Sequence, residues 1–132
     1  MTRPMLILIA GPYRSGTGDD PDKMAANLAR LEEASWPVFR RGHVPVIGEW
    51  VALPVLRAAG ATGPTDPLAD EVLYPTAERL LAHVDAVLRL PGASTGADQD
   101  VAIARQRGIP VYDRVEMIPG YQPEADPVGV AG

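Results

Sequence analysis

The sequence contains no cysteine, so it offers neither a disulfide nor a thiolate metal ligand. Aromatic residues are scarce, 5% of the chain with a single Phe, which counts against a flavin carrier that must sandwich its ring system between aromatic side chains. Basic residues are outnumbered, 12 Lys and Arg against 17 Asp and Glu for a formal charge of -5. That balance argues against a surface for nucleic acid polymers or an anionic membrane, although a local site for an anionic small molecule can be positive inside a negative protein. Long apolar runs are missing too. Met5 to Ala10 (MLILIA) is too short for a secretory h-region or a membrane span, and the default compartment is the cytoplasm. The two histidines, His43 and His83, lack the spacing of a metal pair, and no metal or cofactor is expected.

What is present suits one compact domain. With 132 residues and 46% hydrophobic content, the chain can build one core and is too short for two ordinary ones. Four short apolar segments, Met5 to Ala10, Val44 to Ile47, Ala86 to Leu90 and Ile109 to Tyr112, are bounded by turn residues, as strands covered on both faces are. Between the first two, Met24, Leu28, Leu31, Ser35 and Val38 step by helical spacing. Asp20 or Asp19 is the expected N-cap with Pro21 in the first helical position; Pro37 is expected to kink or end the helix, and Gly42 to close it. Val51 to Ala59 suits a short helix, Gly60 to Asp70 reads as a loop, and Tyr74 to Val84 reads as a helix with Pro75 at its start. Strands alternating with helices predict an α/β fold: a Rossmann-like, flavodoxin-like parallel sheet of four or five strands with helices on both faces. The domain is expected to span residues 1–118, followed by a mobile tail over 119–132, which is rich in Pro, Gly and Ala.

Ligands of such sheets bind beyond the carboxyl ends of the strands, and three loops there carry chemistry. After the first strand comes GPYRSGTGDD: Gly11 and Gly16 free the backbone, while Tyr13, Arg14 and Ser15 supply donors for an anion. It is not a P-loop, since no GKS or GKT follows. After the second strand stand Glu49 and Trp50, which suit a sugar hydroxyl and a base, or equally a helix cap and a core position. After the third strand the small-residue loop PGASTG leads into a helix, a geometry that brings backbone N–H groups to an anion.

Two carboxylates follow in that helix. If Thr95 is the N-cap, Asp98 takes the third helical position and can act as a shortened capping box. Asp100, one turn in, has no such structural role. Helical angles alone do not separate the two. A carboxylate kept ionised near a helix N-terminus can attack an anomeric carbon, or activate water there, across an oxocarbenium-like transition state, with a second acid acting on the leaving base.

The order ILIAGPYRSG, VPVIGEW and DAVLRLPGASTGADQDVAIARQRGIPVY resembles the nucleoside 2-deoxyribosyltransferase-like superfamily, and within it the 2′-deoxynucleoside 5′-phosphate N-hydrolases, over about Met5 to Tyr112. The resemblance implies cleavage of the N-glycosidic bond of a nucleoside 5′-monophosphate, by hydrolysis or transfer. It places Asp100 on the family's nucleophilic Glu, counting back from Gly108-Ile109-Pro110-Val111, and Ser94 where the monophosphate hydrolases carry Ser. It matches Arg14 to their phosphate-loop Arg, Glu49 to a Glu after their second strand, and Asp85, at the start of the third strand and expected among the substrate-binding residues, to a family Asp. Gly11, Arg14, Ser15, Gly16, Ser94 and Gly96 are then expected around phosphate, and Tyr13 and Glu49 against sugar or base. The chain departs from the pattern at two positions. Asp100 is shorter than Glu by about 1.5 Å, and Ala102 stands where the motif has glycine; Asp98 is the alternative nucleophile, and a catalytically silent nucleotide-binding module the alternative function. LPGASTG is also similar to the PGGxGT loop of the phosphoribohydrolases that release cytokinin-type bases, with the following acid in a different register. The expected partner is a small-molecule nucleotide, and the family habit of completing the pocket from a neighbouring subunit implies a homodimer.

Overall fold

A computed structural model describes residues 3–123. Four strands, β1 (Leu6–Ala10), β2 (Val44–Ile47), β3 (Ala86–Arg89) and β4 (Val111–Tyr112), form one sheet in the order β2-β1-β3-β4, with every pairing parallel. The fold is therefore α/β and Rossmann-like, with four strands among the described residues. Side chains alternate across β1 because successive residues of a strand face opposite sides. Ile7 and Ile9 pack with Leu31, Val38, Ile47 and Leu88 on one face, while Leu8 and Ala10 pack with Leu81, Val87, Ala97 and Ala104 on the other. Each fully buried Ile or Leu contributes about 1.5–3 kcal/mol, so both faces of β1 must be covered, which is why it reads as an unbroken apolar run.

The helices are α1 (Pro21–Arg40), α2 (Gly48–Ala58), α3 (Ala69–Leu80) and α4 (Thr95–Gln106), with a short 3-10 turn at Val115–Met117. Asp20 caps α1, its carboxylate accepting from the Asp22 amide at 2.9 Å. Of the two expected effects of Pro37, a kink or an end, the second does not occur: α1 runs on through it to Arg40. A proline forfeits one helical hydrogen bond, and buried Leu31 and Val38 on either side of it offset that loss. Helix α2 starts directly at the end of β2, earlier than expected, which puts Glu49 in its first turn. Helix α3 also starts early, so Pro75 lies inside it. Asp66 organises that start, accepting from the Leu68 amide at 2.9 Å and the Thr62 amide at 3.0 Å, and Ala69 is buried behind it. Composition alone hid this turn, because GPTDP reads as loop. Among the described residues, no helix is long and apolar enough to cross a membrane.

The amino-terminal edge of the sheet is tied by two side chains. Asp85 accepts from Arg3 and from the Leu6 amide at 2.8 Å, bonds that hold its carboxyl below the usual range, that of Arg3 most of all. Buried His43 accepts from the Met5 amide at Nδ1 (3.0 Å) and meets the Pro119 carbonyl at Nε2 (2.6 Å). The start of the expected mobile tail is held in the same way: Arg41 donates to the Ile118 carbonyl at 2.9 Å, and the Tyr121 amide donates to the Arg41 carbonyl at 2.7 Å. Residues 119–121 thus belong to the packed domain, and the rest of that expected tail, from 124 on, lies outside the described residues.

Candidate functional site

At the carboxyl edge of the sheet a cavity of about 340 Å³ opens between the β1–α1 loop, the start of α2, one face of α3 and the start of α4, a size within the small-molecule range of about 300–1,000 Å³. Gly11, Tyr13, Arg14, Ser15, Glu49, Ser94, Gly96 and Asp100 all line it. Three expected site residues do not. Asp85 lies at the opposite edge of the sheet with Arg3, Gly16 is an exposed turn residue, and Asp98 is turned outward onto Arg89.

The β1–α1 loop is shaped by close packing. A side chain at Gly11 would press on Leu31 and Leu90, at 3.0 and 3.2 Å from its Cβ. Gly16, with φ of 71°, allows the turn in which the Arg14 carbonyl accepts from the Thr17 hydroxyl at 2.6 Å and from the Thr17 amide. Buried Asn27 of α1 donates to the Tyr13 carbonyl at 2.8 Å and accepts from Arg30. Tyr13 and Arg14 are therefore presented to the cavity by backbone held from below.

At the start of α4, Ser94 is the N-cap in place of Thr95: its hydroxyl accepts from the Ala97 amide at 3.1 Å. The cap leaves other first-turn amides of α4 without helical partners beside the cavity, the usual setting for an anion. Asp98 makes no capping bond to this turn. Its carboxylate accepts from Arg89 at 2.9 Å, and Arg89, at the end of β3, also donates to the Leu90 and Gly92 carbonyls. The β3–α4 loop is thus folded around one guanidinium.

The two carboxylates in the cavity are both perturbed. Burial pushes the Glu49 carboxyl up to about 7, against the pull of its own backbone amide and with a further push from Asp100. Burial likewise pushes Asp100 up to about 7, against the nearby charge of Arg89. Tyr13 is raised by burial and by Glu49, and lowered by Arg14. Two interacting acids that titrate near neutrality can hold one proton between them, so the cavity can supply a carboxylate and a carboxylic acid at once.

The sequence reading missed Asp70 and Tyr74, which reach the cavity from α3, along with Arg89 and Asn27. Asp70 pairs with Arg14 at 2.7 Å, and the Arg14 guanidinium lies 5.9 Å from the centre of the Tyr74 ring. Two of the four carried a signal: Asn27 interrupts the buried stripe of α1 between Met24 and Leu31, and Arg89 ends an otherwise apolar strand. Against this geometry, no family model matches the chain and no curated protein matches it.

Proposed function

We propose that this cavity cleaves the N-glycosidic bond of a nucleoside 5′-monophosphate, with Asp100 as the reacting carboxylate. The observation that carries the reading is the pair of perturbed acids, Glu49 and Asp100, in one cavity with Arg14 and the capped start of α4. The resemblance of PYRSG and of the Ser94 to Asp100 spacing to the monophosphate N-hydrolases supports the same chemistry.

Phosphate is held by Arg14, Ser15 and the first-turn amides of α4 near Ser94 and Gly96. Asp100, ionised and beside the positive field of Arg89, attacks C1′ of the sugar. The C1′–N bond breaks, its electron pair leaves with the base, and the departing nitrogen takes the proton of Glu49. Water then attacks C1′, releasing Asp100 and returning a proton to Glu49, so that nucleotide and water give free base and sugar 5-phosphate. Phosphate binding helps the division of labour. Arg14 is a charge that lowers Glu49, and a phosphate dianion on Arg14 in place of the Asp70 carboxylate offsets more of that charge and favours protonated Glu49. A dimer, with a neighbouring subunit closing the cavity, belongs to the same reading.

The test is to incubate the protein with a panel of ribo- and deoxyribonucleoside 5′-monophosphates and their unphosphorylated nucleosides, and to measure free base by chromatography. Base release from at least one monophosphate, faster than from its nucleoside, is the expected result. Saturable binding with no release contradicts it and leaves a nucleotide-binding module.

A further inference from the structure

We propose that Asp70 is a specificity-determining residue of this cavity, an internal anion that occupies Arg14 until a phosphate monoester displaces it and that turns away ligands carrying a second phosphate. The proposal rests on the phosphate reading above, and adds a residue that neither the sequence motifs nor the proposed chemistry uses.

Arg14 is the one cation that lines the cavity among the described residues, while Glu49, Asp70 and Asp100 are acidic. Its Nη2 already donates to Asp70 Oδ1 at 2.7 Å, a charge-assisted bond across elements 56 residues apart in sequence. The two ends of the pair differ. The Arg14 side chain is 28% exposed and rests against the Tyr74 ring, whereas the Asp70 side chain is 68% exposed. The guanidinium is the fixed member, and the carboxylate is the one with solvent to move into.

Displacing Asp70 is made easier by where it sits. It lies in the first turn of α3, whose N-cap residue Leu68 makes no side-chain capping bond. A carboxylate leaving Arg14 still faces the positive end of the helix dipole. A phosphate monoester therefore replaces one anion by another on Arg14. A second phosphate group has no further lining cation to meet, and Asp70, displaced but adjacent, repels it.

Base-independent probes test this on the full chain. Ribose 5-phosphate, inorganic phosphate and inorganic pyrophosphate are titrated by calorimetry into the wild type, Asp70→Asn, Asp70→Ser and Glu71→Gln. Glu71 occupies the same first turn of α3 but does not line the cavity, so Glu71→Gln removes an equal charge without freeing Arg14. The expected result is at least fivefold tighter ribose 5-phosphate in both Asp70 variants, a larger gain for pyrophosphate, and less than twofold change in Glu71→Gln. If the wild type binds ribose 5-phosphate and the Asp70 variants bind it equally or more weakly, Asp70 positions Arg14 and the proposal is overturned while the phosphate reading stands. If no protein of the set binds ribose 5-phosphate or inorganic phosphate saturably, both fall together.

Discussion

Arg89 Nη2 donates to Asp98 Oδ1 at 2.9 Å across the β3–α4 loop, so that Asp98 points outward while Asp100, two residues later, lines the cavity. The pair itself is weakly stabilising, because the Asp98 side chain is 74% exposed and such ion pairs contribute about 0–1 kcal/mol. Arg89 does more, since it also donates to two loop carbonyls. Asp98→Ala is expected to lower the unfolding free energy from urea titration by less than about 1 kcal/mol, and Arg89→Ala by about 1–3 kcal/mol. Equal losses in the two variants contradict this division.

The raised carboxyls give stability a definite pH dependence. Unfolded Asp and Glu titrate near 4, whereas folded Glu49 and Asp100 titrate at about 7. Between those values the folded protein binds more protons than the unfolded chain, so stability falls as pH rises from about 4 to about 7. Asp66 and Asp85 are shifted the other way, and their contributions fade only below the ordinary carboxylate range. Urea midpoints measured from pH 4 to 8 are expected to decline in the wild type and to decline less in Glu49→Gln and in Asp100→Asn. A flat wild-type profile contradicts the burial of the pair.

Ser94 combines a cap with a place beside the proposed phosphate. Ser94→Ala removes the bond to the Ala97 amide and is expected to cost about 1 kcal/mol. Ser94→Asp retains an N-cap acceptor, so its stability stays near that of the wild type, while its new charge weakens ribose 5-phosphate binding by at least tenfold. Calorimetry beside a thermal melt separates the two effects. Undiminished binding in Ser94→Asp contradicts the placement of phosphate at this turn.

Gly42 closes α1 with φ of 93°, and a Cβ there would collide with the Tyr121 carbonyl. Gly42→Ala combines a left-handed backbone with that collision, and is expected to cost at least about 2 kcal/mol. A melting temperature unchanged from the wild type contradicts the packing of residues 118–121 against the end of α1.

Much of the fold was legible because it follows from periodicity: the four strands read as bounded apolar runs, and Asp20 with Pro21 marked the start of α1. The errors fall where tertiary contacts overrule local composition. Pro75 sits inside α3 rather than at its start, and α3 begins at Ala69, within the last two residues of the segment that reads as loop, where Asp66 turns the chain. At the site, the gathering of loops at the carboxyl edge was legible, since Gly11, Tyr13, Arg14, Ser15, Glu49, Ser94, Gly96 and Asp100 all line one cavity there. What was not legible depends on which side chains meet. Asp70 finds Arg14 only through the packing of α3, and the outward turn of Asp98 depends on Arg89 nine residues earlier. Asp85 was misplaced because its position at the start of β3 puts it at the amino-terminal edge of a parallel sheet, away from the ligand side.

The central claim, that Asp100 and not Asp98 carries the chemistry, is tested most directly by base release from a nucleoside 5′-monophosphate in Asp100→Asn and Asp98→Asn, assayed side by side with the wild type. Loss of at least a hundredfold in Asp100→Asn, with Asp98→Asn within fivefold of the wild type, is the predicted result. Release that persists in Asp100→Asn, or that disappears in Asp98→Asn alone, contradicts it.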